Sequence, residues 1–101
     1  MGYCRSFRSG VLILDKYTVY TTAEECSEVS QMLMKVLRFG LDTKSPVDNI
    51  SNKQKLSEEI GQLQYCLHKI TRELELDRVT IQDAYDAKMI TWNKWKEYYD
   101  R

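Results

Sequence analysis

The sequence predicts an all-α protein, a bundle of three to four helices completed by oligomerisation. Three observations predict it. Leu56, Ile60, Leu63, Leu67, Ile70 and Leu74 alternate steps of four and three, an apolar seam sustained over almost three heptads. Val29, Leu33, Val36 and Leu37 recur at helical spacing in an earlier segment. The chain has only 101 residues, so its own core is small, and burying the rest of its apolar surface against further copies is the natural outcome.

Residues 1–9 are polar and basic and are expected to form a flexible N-terminal segment, leaving residues 10–101 as a single helical domain. Val11 to Thr22 reads two ways. Its Val, Ile, Tyr and Thr favour strand, whereas continuity with the acidic segment that follows favours helix, and helix is preferred. From Ala23 to Phe39 the helical pattern is clear. Cys26 extends its stripe back by one turn, and Gly40 stands where a C-cap glycine belongs, after Arg38 in the last turn. Residues 40–49, with the only proline at Pro46, read as a loop. A second helix is expected from near Ser51 to about Leu76, its flanks filled with Lys, Glu, Gln and Arg. Thr80-Ile81-Gln82-Asp83 resembles a capping box with Asp in place of Glu and marks the start of a third helix. The expected inward positions of that helix are Ile81, Tyr85, Lys88, Trp92, Trp95 and Tyr99. A lysine on such a stripe is costly unless its ammonium reaches water, a carboxylate or a phosphate.

Fifteen basic and fifteen acidic residues cancel. No general field draws the chain to a nucleic acid polymer or an anionic membrane. An acidic ligand would need a local device, either a bound cation or a few placed Lys and Arg. The three cysteines, Cys4, Cys26 and Cys66, have no metal-ligand spacing. They suit a reducing cytoplasm better than a disulfide framework, with Cys26 and Cys66 as small core residues. No segment is long and apolar enough to span a membrane. Gly2 and Ser6 fit the loose myristoylation pattern, but nothing else speaks for a membrane. His68 reads as a surface or interface residue. Ser, Cys and His show no spacing that suggests nucleophilic catalysis.

Glu24-Glu25-Cys26-Ser27-Glu28 is the most informative stretch. On a helix Glu25 and Glu28 point about 60° apart, bordering the arc of Val29, Leu33 and Val36, while Glu24 points to solvent. Two carboxylates on the margin of a buried face repel one another and lose hydration. A hard divalent cation relieves both costs, and oxygen ligands suit Mg²⁺ or Mn²⁺. Glu59 lies beside the seam of the second helix, with Gln62 on the same flank. Antiparallel packing would bring Glu25, Glu28, Glu59 and Gln62 together. The plainer alternative is a pair of solvated glutamates on a helix surface.

Glu24-Glu25-Cys26-Ser27-Glu28 followed by Lys35-Val36-Leu37-Arg38-Phe39-Gly40 resembles the first motif of MazG-like nucleoside triphosphate pyrophosphohydrolases, in particular the short phage-type members. Lys55-Leu56-Ser57-Glu58-Glu59-Ile60-Gly61-Gln62-Leu63 is similar to their second motif, usually Glu-Glu-(Leu/Ile)-Gly-Asp-Leu. Ala84-Tyr85-Asp86-Ala87-Lys88 resembles their C-terminal segment. The similarity covers roughly residues 20–95. It implies an all-α bundle assembling as a dimer or tetramer, and hydrolysis of a nucleoside triphosphate between its α and β phosphates to the monophosphate and pyrophosphate. It further implies Glu25, Glu28 and Glu59 as catalytic metal ligands, with the fourth ligand position held by Gln62 where the family has Asp. A Gln carbonyl can ligate Mg²⁺ but brings no charge. The enzyme would then be weakened, Glu58 would substitute, or the site would bind a nucleotide without cutting it. Lys35, Arg38 and Lys88 are candidates for phosphate contacts, and Trp92 or Trp95 for stacking on a base. The ordinary roles of these residues are a solvated helix end for Lys35 and Arg38, and core or subunit interface for the tryptophans. A helical oligomer with a merely acidic rim is the purely structural rival.

Overall fold

The computed structural model describes residues 6–8, 11–13 and 15–100, the first two stretches as backbone. Two three-residue strands, β1 (Ser6–Arg8) and β2 (Val11–Ile13), pair antiparallel with Phe7 opposite Leu12. Three long helices follow: α1 (Lys16–Phe39), α2 (Asn52–Glu73) and α3 (Arg78–Tyr99). The all-α class therefore holds. The expected boundary after residue 9 falls between the two paired strands. Gly2 and Cys4 lie outside the described residues.

The ambiguous stretch divides at Asp15. Val11–Ile13, rich in β-branched residues, is strand, which corrects the expectation of helix there. Asp15 then caps α1: its carboxylate accepts from the Tyr17 N–H at 3.1 Å and from the Thr18 hydroxyl at 2.8 Å. Gly40 ends the helix at φ 93°, ψ 161°, a conformation that only glycine adopts at low cost, and its N–H returns to the Val36 carbonyl at 2.8 Å.

The loop that follows fastens α1 to α2. The Asn52 side-chain amide donates to the Gly40 carbonyl at 3.0 Å, and the Lys53 N–H donates to the Leu41 carbonyl at 2.8 Å. Asp48 accepts from the Ile50 N–H at 3.0 Å and pairs with Lys55 at 3.0 Å. The Ile50 N–H, then the Lys55 ammonium, hold the Asp48 carboxyl below its ordinary range. Ser51 caps α2 through the Gln54 N–H at 3.1 Å.

α2 closes with a Schellman turn. The Leu76 N–H reaches the Thr71 carbonyl at 3.0 Å, the Glu75 N–H reaches Arg72 at 3.2 Å, and Glu75 sits at φ 50°. Asp77, not Thr80, caps α3: it accepts from the Val79 N–H at 3.0 Å and from the Thr80 hydroxyl at 2.7 Å. The helix therefore starts three residues before the expected capping box, because Asp77 with Thr80 at the third helical position satisfies the same free N–H groups.

α1 packs on α2, and α3 forms no comparable interface with either. Among the described residues Met32 is the one buried apolar residue, at 6% exposure. The seam of α2 splits into two rows. Leu56, Leu63 and Ile70 are half-buried toward α1, while Ile60 and Leu67 remain 40% and 45% exposed. The expected core residue Cys26 is exposed and Cys66 half-buried, because no third layer covers them. The expected inward positions of α3 are corrected for the same reason: Ile81, Tyr85, Lys88, Trp92, Trp95 and Tyr99 are all exposed within one chain. Among the described residues no helix is long and apolar enough to cross a membrane.

Candidate metal centre

Antiparallel packing of α1 on α2 brings carboxylates from both helices to one point. Glu25, Glu28 and Glu59 each offer an oxygen, and these oxygens lie within 4.8 Å of one another. Glu25 and Glu28 are one turn apart on α1 and share a face. Glu59 faces them from the second turn of α2, and its register is fixed by the Ser51 cap and the hydrogen bonds across the connecting loop. Glu25 and Glu59 are half-buried and Glu28 is exposed.

The cluster carries an unfavourable concentration of negative charge. Desolvation raises the pKa of the Glu59 carboxyl above its ordinary value of 4.5, and the neighbouring Glu28 carboxyl raises it further. The charges of Glu25 and Glu58 act in the same direction. Gln62, one turn beyond Glu59, relieves part of this repulsion. With its amide nitrogen turned toward the carboxylates it donates to Glu59 Oε1 at 2.8 Å and to Glu25 Oε1 at 2.9 Å. It is a neutral bridge between the two helices, placed where a fourth carboxylate would add charge. Glu58, the substitute acid, accepts from the Gln54 amide at 2.9 Å.

This donor set fits a small divalent cation. Octahedral Mg²⁺ takes oxygens at about 2.1 Å, which places neighbouring ligand atoms about 3 Å apart and opposite ones about 4 Å apart. Oxygens already within 4.8 Å of one another reach that arrangement by small side-chain adjustments. Turning the Gln62 amide about its last bond exchanges nitrogen for oxygen and converts a donor into a ligand.

Glu25 of the cluster, with its partner Gln62, lines a groove of about 860 Å³ between α1 and α2. Thr18, Thr22 and Glu25 line it from α1, and Gln62, Cys66 and Lys69 line it from α2. Each set follows one helical face. Sequence reading missed Thr18, Thr22 and Lys69, although their spacing from Glu25 and Gln62 was a readable signal. On α1 that signal was masked by treating Val11 to Thr22 as one ambiguous unit. Lys69 is the one cation among the lining residues, and its ammonium lies 3.4 Å from Glu73.

The other expected ligand contacts stand apart. Lys35 and Arg38 are exposed, about 15 and 20 Å further along α1 from Glu25 by helix rise. Arg38 lies in the last turn, where a cation complements the helix dipole, with its guanidinium 6.0 Å from the centre of the Phe39 ring. Lys88 and Trp92 sit on α3, beside Trp95 and Tyr99, and do not line the groove within one chain. His68 is exposed on α2, as expected for a surface residue, and Glu24 points to solvent.

Compared with known proteins, the chain matches no family model, no curated protein and no solved structure.

Proposed function

We propose that the protein is a metal-dependent nucleotide pyrophosphohydrolase of the MazG-like kind, acting between the α and β phosphates of a nucleoside triphosphate or related nucleotide. The convergence of Glu25, Glu28 and Glu59 from two helices carries this reading. A solvated acidic rim has no need to bring three carboxylates together, whereas a cation-binding site does. The proposed cofactor is Mg²⁺ or Mn²⁺, which when bound would neutralise phosphate charge and acidify a water.

In this reading Glu25, Glu28 and Glu59 supply the ligand oxygens. The carboxylate least engaged with the cation orients water toward phosphorus. Thr18 and Thr22, on the α1 wall of the groove, face the organic part of the ligand. Free Cys26 and Cys66 fit a reducing cytoplasm. The exposed rows on α2 and α3 fit a homo-oligomer.

The Gln62 bridge favours a second reading, a nucleotide-binding protein with weakened or absent turnover, because the amide holds Glu25 and Glu59 without adding ligand charge. The two readings separate in one assay. Incubation with a panel of nucleoside triphosphates and Mg²⁺ or Mn²⁺ should release monophosphate and pyrophosphate, and Glu25→Gln or Glu59→Gln should lower the rate by about two orders of magnitude or more. Ligand-dependent stabilisation without turnover supports the second reading. Turnover unaffected by both substitutions would refute the assignment of the site.

A further inference from the structure

A 12.0 kDa chain folded compactly as a monomer exposes about 6,000 Å². This one exposes 8505 Å². Its radius of gyration is 17.7 Å, against about 13 Å for a compact domain of this length. Its shortest dimension is 16 Å, room for a single layer of helices, while stable domains stack at least two layers. The excess is about 2,500 Å² per chain, about 5,000 Å² for two chains, the upper part of the range that obligate dimers bury in total.

The surplus lies on two complementary surfaces. The α1–α2 groove is lined by Asp15, Glu25, Glu58 and Glu73 against the single cation Lys69. Its floor is open at Gly61, where a Cβ would meet nothing within 4 Å. The other surface is the stripe of α3: Lys88, Trp92, Trp95, Lys96 and Tyr99 line a shallow depression along it. Lys96 is engaged with Asp100, whereas Lys88 has no ion-pair partner among the described residues. Lengths agree as well. The groove runs along α2 from Ser57 to Glu73, about 24 Å by helix rise, and the stretch of α3 from Ile81 to Tyr99 spans about 27 Å.

We propose that α3 of a second copy of this chain lies along the α1–α2 groove, its Lys88 and aromatic stripe over Gly61, Tyr65 and Cys66, and that two chains exchange α3 reciprocally. Such an interface is isologous and closes at two copies. It places an aromatic, cationic wall from the partner beside each acidic cluster, so that the Lys88 and Trp92 missing from the site within one chain arrive from the other. The inference rests on the homo-oligomer reading above and is independent of any metal or turnover.

Native Cys66 supplies the test. In a Cys4→Ser, Cys26→Ser background, Trp92→Cys, Trp95→Cys and Tyr99→Cys are introduced singly, oxidised with copper phenanthroline and run on non-reducing gels. At least one should form a covalent dimer, lost when Cys66→Ser is added. Sedimentation equilibrium of the unaltered chain should give twice the 12.0 kDa chain mass. Gly61→Leu, whose Cβ has open space in its own chain, should weaken that association at least about tenfold. A monomer in sedimentation overturns both the oligomer reading and this one. A dimer with no cross-link to Cys66, or a cross-link confined to one chain, overturns the exchange alone.

Discussion

Gln62 and Glu59 set the behaviour of the site at the scale of single residues. The Gln62 amide joins Glu25 to Glu59 and adds no charge. Gln62→Asp replaces a donor with a fourth carboxylate, and Mn²⁺ affinity by calorimetry should rise about tenfold or more, about 1.4 kcal/mol. The same variant should melt lower than the parent in chelator, because one more negative charge then lacks a partner. Unchanged or weaker Mn²⁺ binding in that variant would remove Gln62 from the ion's surroundings. The raised pKa of Glu59, caused first by desolvation and then by Glu28, gives a signed pH effect. A carboxyl whose pKa is higher in the folded than in the unfolded protein binds more protons when folded. Its favourable contribution is fully present below 4.5 and is lost as pH rises through the raised value. Metal-free protein should therefore gain melting temperature as pH falls from neutral toward 4.5, and Glu59→Gln should flatten that rise. Asp48 and Asp77, both held below 3.8, lose their contributions only at more acid pH, so the two windows are separate. The three glutamates were legible in the sequence because each lies on the edge of a periodic apolar stripe. The direction of the Gln62 amide was not, since it follows from the spacing of the two helices.

The caps explain, at the scale of elements, which boundaries could be read. Gly40 and Ser51 are conspicuous cap residues at the ends of strong apolar periodicity, and both bounds agree with the structure. Asp15 and Asp77 were passed over. Asp15 borders a β-branched run that suits either structure. Asp77 competes with a plausible box three residues later, and the cap nearest the Schellman turn prevails. Gly40 is the sharpest element-level test. At φ 93° and ψ 161° a side chain is strained, so Gly40→Ala should cost about 1–3 kcal/mol in denaturant melts. It should also loosen the α1–α2 connection and weaken Mn²⁺ binding, although it lies far from the carboxylates. A neutral Gly40→Ala would mean that this turn does not fix the register of the site.

At the scale of the whole molecule, one chain is an open layer. The heptad seam of α2 correctly announced lengthwise packing, yet only one of its rows is used against α1, and the stripe of α3 faces solvent. Periodicity reports that a face is apolar, not what covers it, and so the sequence marked these faces without naming their cover. Melting temperature should accordingly rise with protein concentration, as it does when folding and association are linked, and a concentration-independent melt would count against an obligate oligomer. The claim beneath the functional reading is that carboxylates of α1 and α2 hold one divalent ion together. Titration of Mn²⁺ into the chain at neutral pH, followed by the loss of the free-ion paramagnetic resonance signal, tests it most directly. One saturable site per chain is predicted, abolished by Glu59→Gln and by Glu25→Gln alike. Absence of saturable binding, or binding that survives both substitutions, would contradict it.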